Sequence, residues 1–161
     1  MSLGSSIRAF FGTAGKKTGS GAVLYAWGSG GSGRLGLGDT ANRSSPVQVG
    51  ALTTWTSFST GPGHSCALQS DGTLWSWGRN DSGELGLGNT AHRSSPVQVG
   101  ALTTWAVCGG GAYQSIAIKS DGTLWAWGEN SFGRLGLGDT ANRSSPVQVG
   151  TVSTWTAANG E

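Results

Sequence analysis

A period of fifty residues governs this chain. Leu124-Trp125-Ala126-Trp127-Gly128 leads through Gly133-Arg134-Leu135-Gly136-Leu137-Gly138 to Pro146-Val147-Gln148-Val149. The same order stands fifty positions earlier as Leu74-Trp75-Ser76-Trp77-Gly78, Gly83 to Gly88 and Pro96 to Val99. It stands there again after another fifty, as Leu24-Tyr25-Ala26-Trp27-Gly28, Gly33 to Gly38 and Pro46 to Val49. A fixed period of this length marks a solenoid or propeller array, in which each unit needs its neighbours to bury its apolar face.

Within residues 51–100 the unit reads as four short strands. Thr54 to Phe58 is the first, ended by Gly61-Pro62-Gly63. Ser65 to Leu68 is the second, closed by Ser70-Asp71-Gly72-Thr73, because Asp-Gly between apolar runs favours a hairpin turn. Leu74 to Trp77 is the third. A Gly-punctuated loop follows, and Pro96 to Val99 is the fourth, with the proline opening an outer edge strand where no ladder donor is needed. No segment has helical period. Side chains alternate across a strand, so Trp75 and Trp77 face one way and Leu74 and Ser76 the other. Bulky rings on one face and small residues on the other let successive sheets stack, each ring burying on the order of 200 Å². The expected fold is all-β: propeller-blade repeats of four antiparallel strands.

The units cover the chain unevenly. Residues 51–100 and 101–150 supply four strands each. Residues 22–50 supply only the third and fourth, at 22–27 and 46–49. The terminal segment 151–158 supplies only a first, Thr154 to Ala158. The repeat domain thus spans 22–161, as about two full blades plus split partial ones. Residues 1–21 form a Gly/Ser-rich arm outside the repeat, with an apolar knot at Ile7, Phe10 and Phe11.

Composition narrows the function. Charged residues are 11% of the chain, against roughly 25% in an average globular protein. The net charge is +2, and Lys16-Lys17 is the one cationic pair, too little to track a phosphate backbone, so no nucleic-acid partner is expected. Cys66 and Cys108 are distant and unclustered with histidine; they read as two buried thiols, and no metal or cofactor is expected. No stretch approaches the roughly 20 apolar residues of a membrane span, and the run Ile7 to Phe11, broken by Arg8, is too short for a signal peptide. A soluble chain without a membrane partner is expected.

The loop Asn80 to Gly88 superficially suggests a phosphate cradle. Its Gly-x-x-Gly-x-Gly spacing is wrong for one, no Lys-Ser/Thr follows, and no helix supplies an N-terminus. Its glycines read as positive-φ positions in tight turns, with Leu85 and Leu87 as anchors. His64 and His92 stand without a paired nucleophile and carboxylate, and read as structural or surface residues. No catalytic residue is assigned and no enzyme is expected.

Taken together, Ser-Asp-Gly-Thr-Leu-Trp-x-Trp-Gly, the following x-Asn, the Gly-x-Leu-Gly-Leu-Gly loop and Ser-Pro-Val-Gln-Val resemble the regulator of chromosome condensation repeat family over residues 22–158. The resemblance implies the blades of a seven-bladed propeller, of which this chain would be an incomplete part. It also implies a founding member that exchanges nucleotide on a small GTPase and docks on nucleosomes. The inserted wedge loop of such an exchange factor has no counterpart here. The second-strand Gly-His-Ser motif occurs once, as Gly63-His64-Ser65, and no exchange-factor site residue is carried over.

A truncated array leaves its end faces open. Three remedies follow: head-to-tail homo-oligomerisation, capping by the arm, or clamping between other proteins. Ile7, Phe10, Phe11 and Trp155 are the candidate interface residues. The near-identical loops Leu35–Trp55 and Leu85–Trp105 differ only at Asp39/Asn89 and Asn42/His92, and they set Arg43, Arg93 and Arg143 at matching rim positions, with Phe132 beside them. Repeated identical loops suit a scaffold or multivalent binder more than an asymmetric catalytic site. The expected function is a non-enzymatic structural subunit of a larger assembly, such as a virion, tail or baseplate component of a bacterial virus. The alternatives are a carbohydrate or receptor-binding module using Phe132 and Tyr113, and a guanine-nucleotide exchange or GTPase-regulating propeller.

Overall fold

The computed structural model describes residues 8–12 and 22–158. The strands are β1 (Arg8–Gly12), β2 (Val23–Gly28), β3 (Arg43–Gln48), β4 (Trp55–Thr60), β5 (His64–Gln69), β6 (Leu74–Gly78), β7 (Arg93–Gln98), β8 (Trp105–Gly110), β9 (Gln114–Lys119), β10 (Leu124–Gly128) and β11 (Arg143–Gln148). They form three antiparallel sheets in sequence order: β1-β2-β3, β4-β5-β6-β7 and β8-β9-β10-β11. No α-helix occurs among the described residues, and none is long and apolar enough to cross a membrane.

Each hairpin is fixed by its own turn chemistry. Asp71 Oδ1 accepts from Thr73 N–H at 3.0 Å and from Thr73 Oγ1 at 2.7 Å, and Thr73 Oγ1 in turn accepts from Trp75 Nε1 at 2.9 Å. Asp121, Thr123 and Trp125 repeat the chain at 2.9, 2.7 and 2.9 Å. The Asp-Gly-Thr-Leu-Trp sequence therefore sets both the turn and the first tryptophan's orientation. The bonds from Thr73 and Thr123 hold the two aspartate carboxyls below their usual range.

The sheets stack through two apolar clusters, each shared by a pair of neighbours. Leu24, Ala26, Leu35 and Val49 of the first unit pack with Trp55, Ala67 and Trp77 of the second. Cys66, Leu68, Leu74 and Val99 of the second pack with Trp105, Cys108, Ala117 and Trp127 of the third. The cysteines, at different places in the repeat, thus meet across the stack, and hydrogen bonding to Cys108 together with burial pushes the Cys66 thiol up. Trp77 and Trp127 are 3% and 1% exposed. The glycine loop of each preceding unit receives them: a Cβ on Gly86 would lie 2.8 Å from Trp127 Nε1.

Three expectations are corrected. Pro96 is the fourth residue of β7 and not its first; β7 is the outermost strand of its sheet, and its pairing with β6 shifts register between Ser76 and Gly78, so the missing N–H costs no ladder bond. The segment 154–158 forms no strand: the Trp155 N–H reaches the Gly122 carbonyl at 3.2 Å, as Trp105 reaches Gly72 at 3.1 Å, but no strand among the described residues lies beside it. The first sheet, expected to hold two strands, holds three. The arm contributes β1, with Phe10 opposite Tyr25 and Phe11 opposite Leu24, in the place that β5 and β9 take in their sheets. Ile7 lies outside the described residues.

Removing an interlocking ring empties a shared core. Trp127→Ala is expected to cost about 3–5 kcal/mol, lowering Tm by on the order of 10 °C, whereas Ser115→Ala is expected to cost about 1 kcal/mol; thermal melts of the two variants check the contrast.

Candidate functional site

Antiparallel order brings the β4–β5 and β8–β9 turns and the β6–β7 and β10–β11 loops to the same end of the sheets. Four side chains gather there. The Arg79 guanidinium carbon lies 5.1 Å from the centre of the Tyr113 ring, and that of Arg134 lies 5.9 Å from Tyr113 and 5.5 Å from Phe132. Cation–π contacts at exposed sites contribute roughly 0.5–1 kcal/mol each, enough to order the cluster without burying it. Phe132 is 86% exposed and Tyr113 40%. Beside them opens a groove of about 540 Å³ lined by Thr60, Pro62, Gly110, Gly111, Phe132 and Arg134.

Carboxylates hold the arginines in place. Arg79 Nε donates to Asp81 Oδ2 at 2.5 Å and stands 3.9 Å from Glu84 Oε1, too far for a hydrogen bond. The bond to Asp81 raises the Arg79 pKa and keeps it charged. Arg134 Nη1 pairs with Glu129 Oε2 at 3.1 Å. The equivalent Arg34 behaves differently, donating through Nη1 to the Pro62 carbonyl of the next sheet at 2.6 Å.

His64 lies under the groove, 1% exposed. Its Nε2 is 2.8 Å from Ser115 Oγ, which itself donates to the Glu84 carbonyl at 2.8 Å. The serine proton being committed, the imidazole Nε2 carries a hydrogen and donates. Burial, and then the Arg79 charge, pushes the His64 pKa down to about 4. His92 is a loop brace: its Nδ1 accepts from the Asn80 N–H at 3.1 Å, as Asn42 Oδ1 does from Gly30 and Asn142 Oδ1 from Asn130.

The other sequence-derived candidates do not join this cluster. Arg43, Arg93 and Arg143 open β3, β7 and β11 on the rim. Arg43 and Arg143 are tied to Asp39 and Asp139 at 2.6 and 2.5 Å; the bond to Arg43 and then that from the Ala41 N–H lower the Asp39 pKa, while the Ala141 N–H and then Arg143 lower that of Asp139. Asn89 replaces the acid in the second unit, so Arg93 reaches only the His92 carbonyl, at 3.3 Å. Phe132 alone of the rim set reaches the groove, and Trp155 is 43% exposed on the opposite side of the third sheet. No group of metal-ligating side chains occurs among the described residues.

Arg79 and Arg134 were not legible as site residues in the sequence, because they sit in different units at positions that do not repeat. The signal lay in its departures: Ser29/Arg79/Glu129, Ser32/Ser82/Phe132, Arg34/Glu84/Arg134 and Pro62-Gly63-His64 against Ala112-Tyr113-Gln114. All of these positions meet at this end.

The sequence matches the family model described as the regulator of chromosome condensation repeat over residues 22–68, 71–118 and 121–158. A second model of the same description matches 55–84 and 107–134. No curated protein sequence matches the chain. Among solved structures, Prp20p of Saccharomyces cerevisiae, studied for its binding to Gsp1p and histones, superposes with a TM-score of 0.73 at 24% identity, over 83% of this chain and 35% of that one. Yeast RCC1 (Prp20) bound to Kap60 gives 0.73 at 23%, over 82% and 34%. Human WBSCR16 gives 0.68 at 21%, over 83% and 35%. The chain spans about a third of the length of each.

Protonation of His64 costs nothing above pH 6.5, where it is neutral both folded and unfolded. Between about 6.5 and 4 only the unfolded imidazole takes up a proton, so stability falls with falling pH, by on the order of 3 kcal/mol at the acid end. The lowered aspartates lose their contribution only below about 4. His64→Gln, which copies Gln114 at the same register position, is expected to flatten this slope in melts taken from pH 7 to 4.5.

Proposed function

Since the chain belongs to the regulator of chromosome condensation repeat family, we propose that it is a protein-docking propeller segment that regulates a small GTPase by binding it through the loop end of its sheets. The observation that carries this reading is the exposed cluster of Arg79, Tyr113, Arg134 and Phe132 beside an open groove. Arginine and aromatic side chains on a firm base are the residues that dominate protein interfaces. Guanidiniums braced by carboxylates beside exposed rings suit a polar, partly apolar protein surface. The names of the similar structures support protein partners: Gsp1p and histones for Prp20p, Kap60 for the same yeast protein.

The expectation of a virion, tail or baseplate subunit draws no support from these yeast and human neighbours. The carbohydrate reading is weaker on physical grounds, since the Arg79 and Arg134 guanidiniums already lie over the Tyr113 ring and leave Phe132 as the exposed ring for a sugar to stack on. Catalysis has no residues assigned to it; the proposed effect on nucleotide release works through binding.

The test is release of a fluorescent guanine nucleotide from a panel of small GTPases, with binding measured in parallel. Arg79→Ala with Arg134→Ala is expected to weaken binding tenfold or more, corresponding to about 1.4 kcal/mol or above. Flat release and absent binding across the panel would remove the GTPase reading.

A further inference from the structure

The two joints between neighbouring sheets are made from the same parts. In the first, Trp77 Nε1 and Ser65 Oγ both donate to the Arg34 carbonyl, at 3.1 and 3.2 Å, and the Gly38 N–H donates to the Ser94 carbonyl at 2.8 Å. In the second, Trp127 Nε1 and Ser115 Oγ donate to the Glu84 carbonyl at 2.9 and 2.8 Å, and the Gly88 N–H to the Ser144 carbonyl at 2.7 Å. Both loops are packed hard against the arriving sheet. A Cβ on Gly33 or Gly83 would sit 2.4 or 2.5 Å from Ser94 or Ser144 Cα, and one on Gly36 or Gly86 would sit 2.7 or 2.8 Å from the tryptophan Nε1.

The third loop is the same device without its occupant. Gly133 to Gly138 repeats the sequence of Gly33 to Gly38, and its glycines hold the same backbone, with φ of 71°, 68° and 80° at Gly133, Gly136 and Gly138. Yet a Cβ on Gly136 would meet only Val149 of its own sheet, at 3.4 Å, and one on Gly138 would meet nothing within 4 Å. Gly136 is exposed where Gly36 and Gly86 are buried. Trp155 is 43% exposed, against 1% for Trp55 and 5% for Trp105, because those two rings are covered by Trp75 with Trp77 and by Trp125 with Trp127, at 6.1 to 6.3 Å.

What fills such a socket is fixed by the two joints that are filled: a third strand ending Trp-Gly and a fourth strand beginning Arg-Ser-Ser-Pro. The first sheet of this chain carries both, as Trp27-Gly28 on β2 and Arg43-Ser44-Ser45-Pro46 on β3, and Trp27 is only half buried. We propose that loop 133–138 and Trp155 of one copy receive the first sheet of a second copy. Trp27 of that copy seats over Gly136 and donates to the Arg134 carbonyl. Its Ser44 carbonyl accepts from the Gly138 N–H, and its Tyr25 and Trp27 cover Trp155. The position opposite the tryptophan, Ser65 and Ser115 in the filled joints, is Arg8 in the first sheet, so this joint lacks one hydroxyl donor and is weaker than the internal ones. The contact is heterologous, building rings or filaments as its rotation dictates. It does not rest on the GTPase reading, which uses the Arg134 side chain and not its carbonyl.

The test is light scattering of the 161-residue chain from about 1 to about 100 μM, with Trp27→Ala and Gly136→Asp, each alone and mixed. The expected wild-type mass rises with concentration to multiples of 16.3 kDa. Each variant alone is expected to associate at least tenfold more weakly, and the equimolar mixture, retaining one intact socket and one intact Trp27 sheet, to recover a two-chain species. In the wild type, hydrogen exchange over 133–140 should slow as concentration rises; this measurement needs no variant to fold. A wild type that stays at the single-chain mass with concentration-independent exchange would overturn the proposal and leave the socket to a blade other than this chain's own first sheet. Variants that keep the wild-type mass would overturn it as well.

Discussion

One backbone carbonyl in each glycine loop carries the architecture. Arg34 O and Glu84 O each accept two hydrogen bonds from the next sheet, one from an indole and one from a serine. Because the acceptor is main chain, it tolerates arginine in one unit and glutamate in the next. Because the donor is an indole, the bond comes with the burial of a large ring, so the apolar and polar contributions to stacking are inseparable. A tryptophan buried without such an acceptor would leave its N–H unpaired at a cost of about 1–3 kcal/mol. Trp55 and Trp105 Nε1 have no partner, and both rings are wedged by edge-on contacts with other tryptophans.

The division of labour between repeat and exception follows from this. Positions that serve stacking recur: the Asp-Gly-Thr turn, the second tryptophan, the loop glycines, and Asn80 with Asn130, whose amides knit the long loops from within at 0% exposure. Positions at the loop end are released from that duty, and there the units diverge. Glu84 is buried at 1% exposure beneath Arg79, while Arg134 at the same place in the next unit lies against Phe132 and Tyr113. Identity between units builds the frame, and difference between them builds the surface a partner would meet.

The four-strand unit, its hairpins, the facing of Trp75 and Trp77, and the positive-φ glycines were legible in the sequence. Each depends on residues near in the chain whose chemistry has few local solutions. The cation–aromatic cluster was half legible. Phe132 and Tyr113 stood out as aromatics in loops, but Arg79 and Arg134 come from different sheets, and nothing along the chain announces that two turns and two loops converge.

By itself the sequence determined the period, the all-β class, the blade as unit and the family, because a fifty-residue repeat of turn residues and tryptophans can bury its rings in few other ways. The tertiary structure decided the ends. A stretch of the arm becomes β1 because β2 offers a free ladder edge to any extended backbone, and backbone pairing asks for no particular side chain. The segment 154–158 has a strand's sequence and no strand's structure, since a strand exists only when another lies beside it. Pairing of that kind is a property of what surrounds a segment, and the sequence of the segment does not hold it.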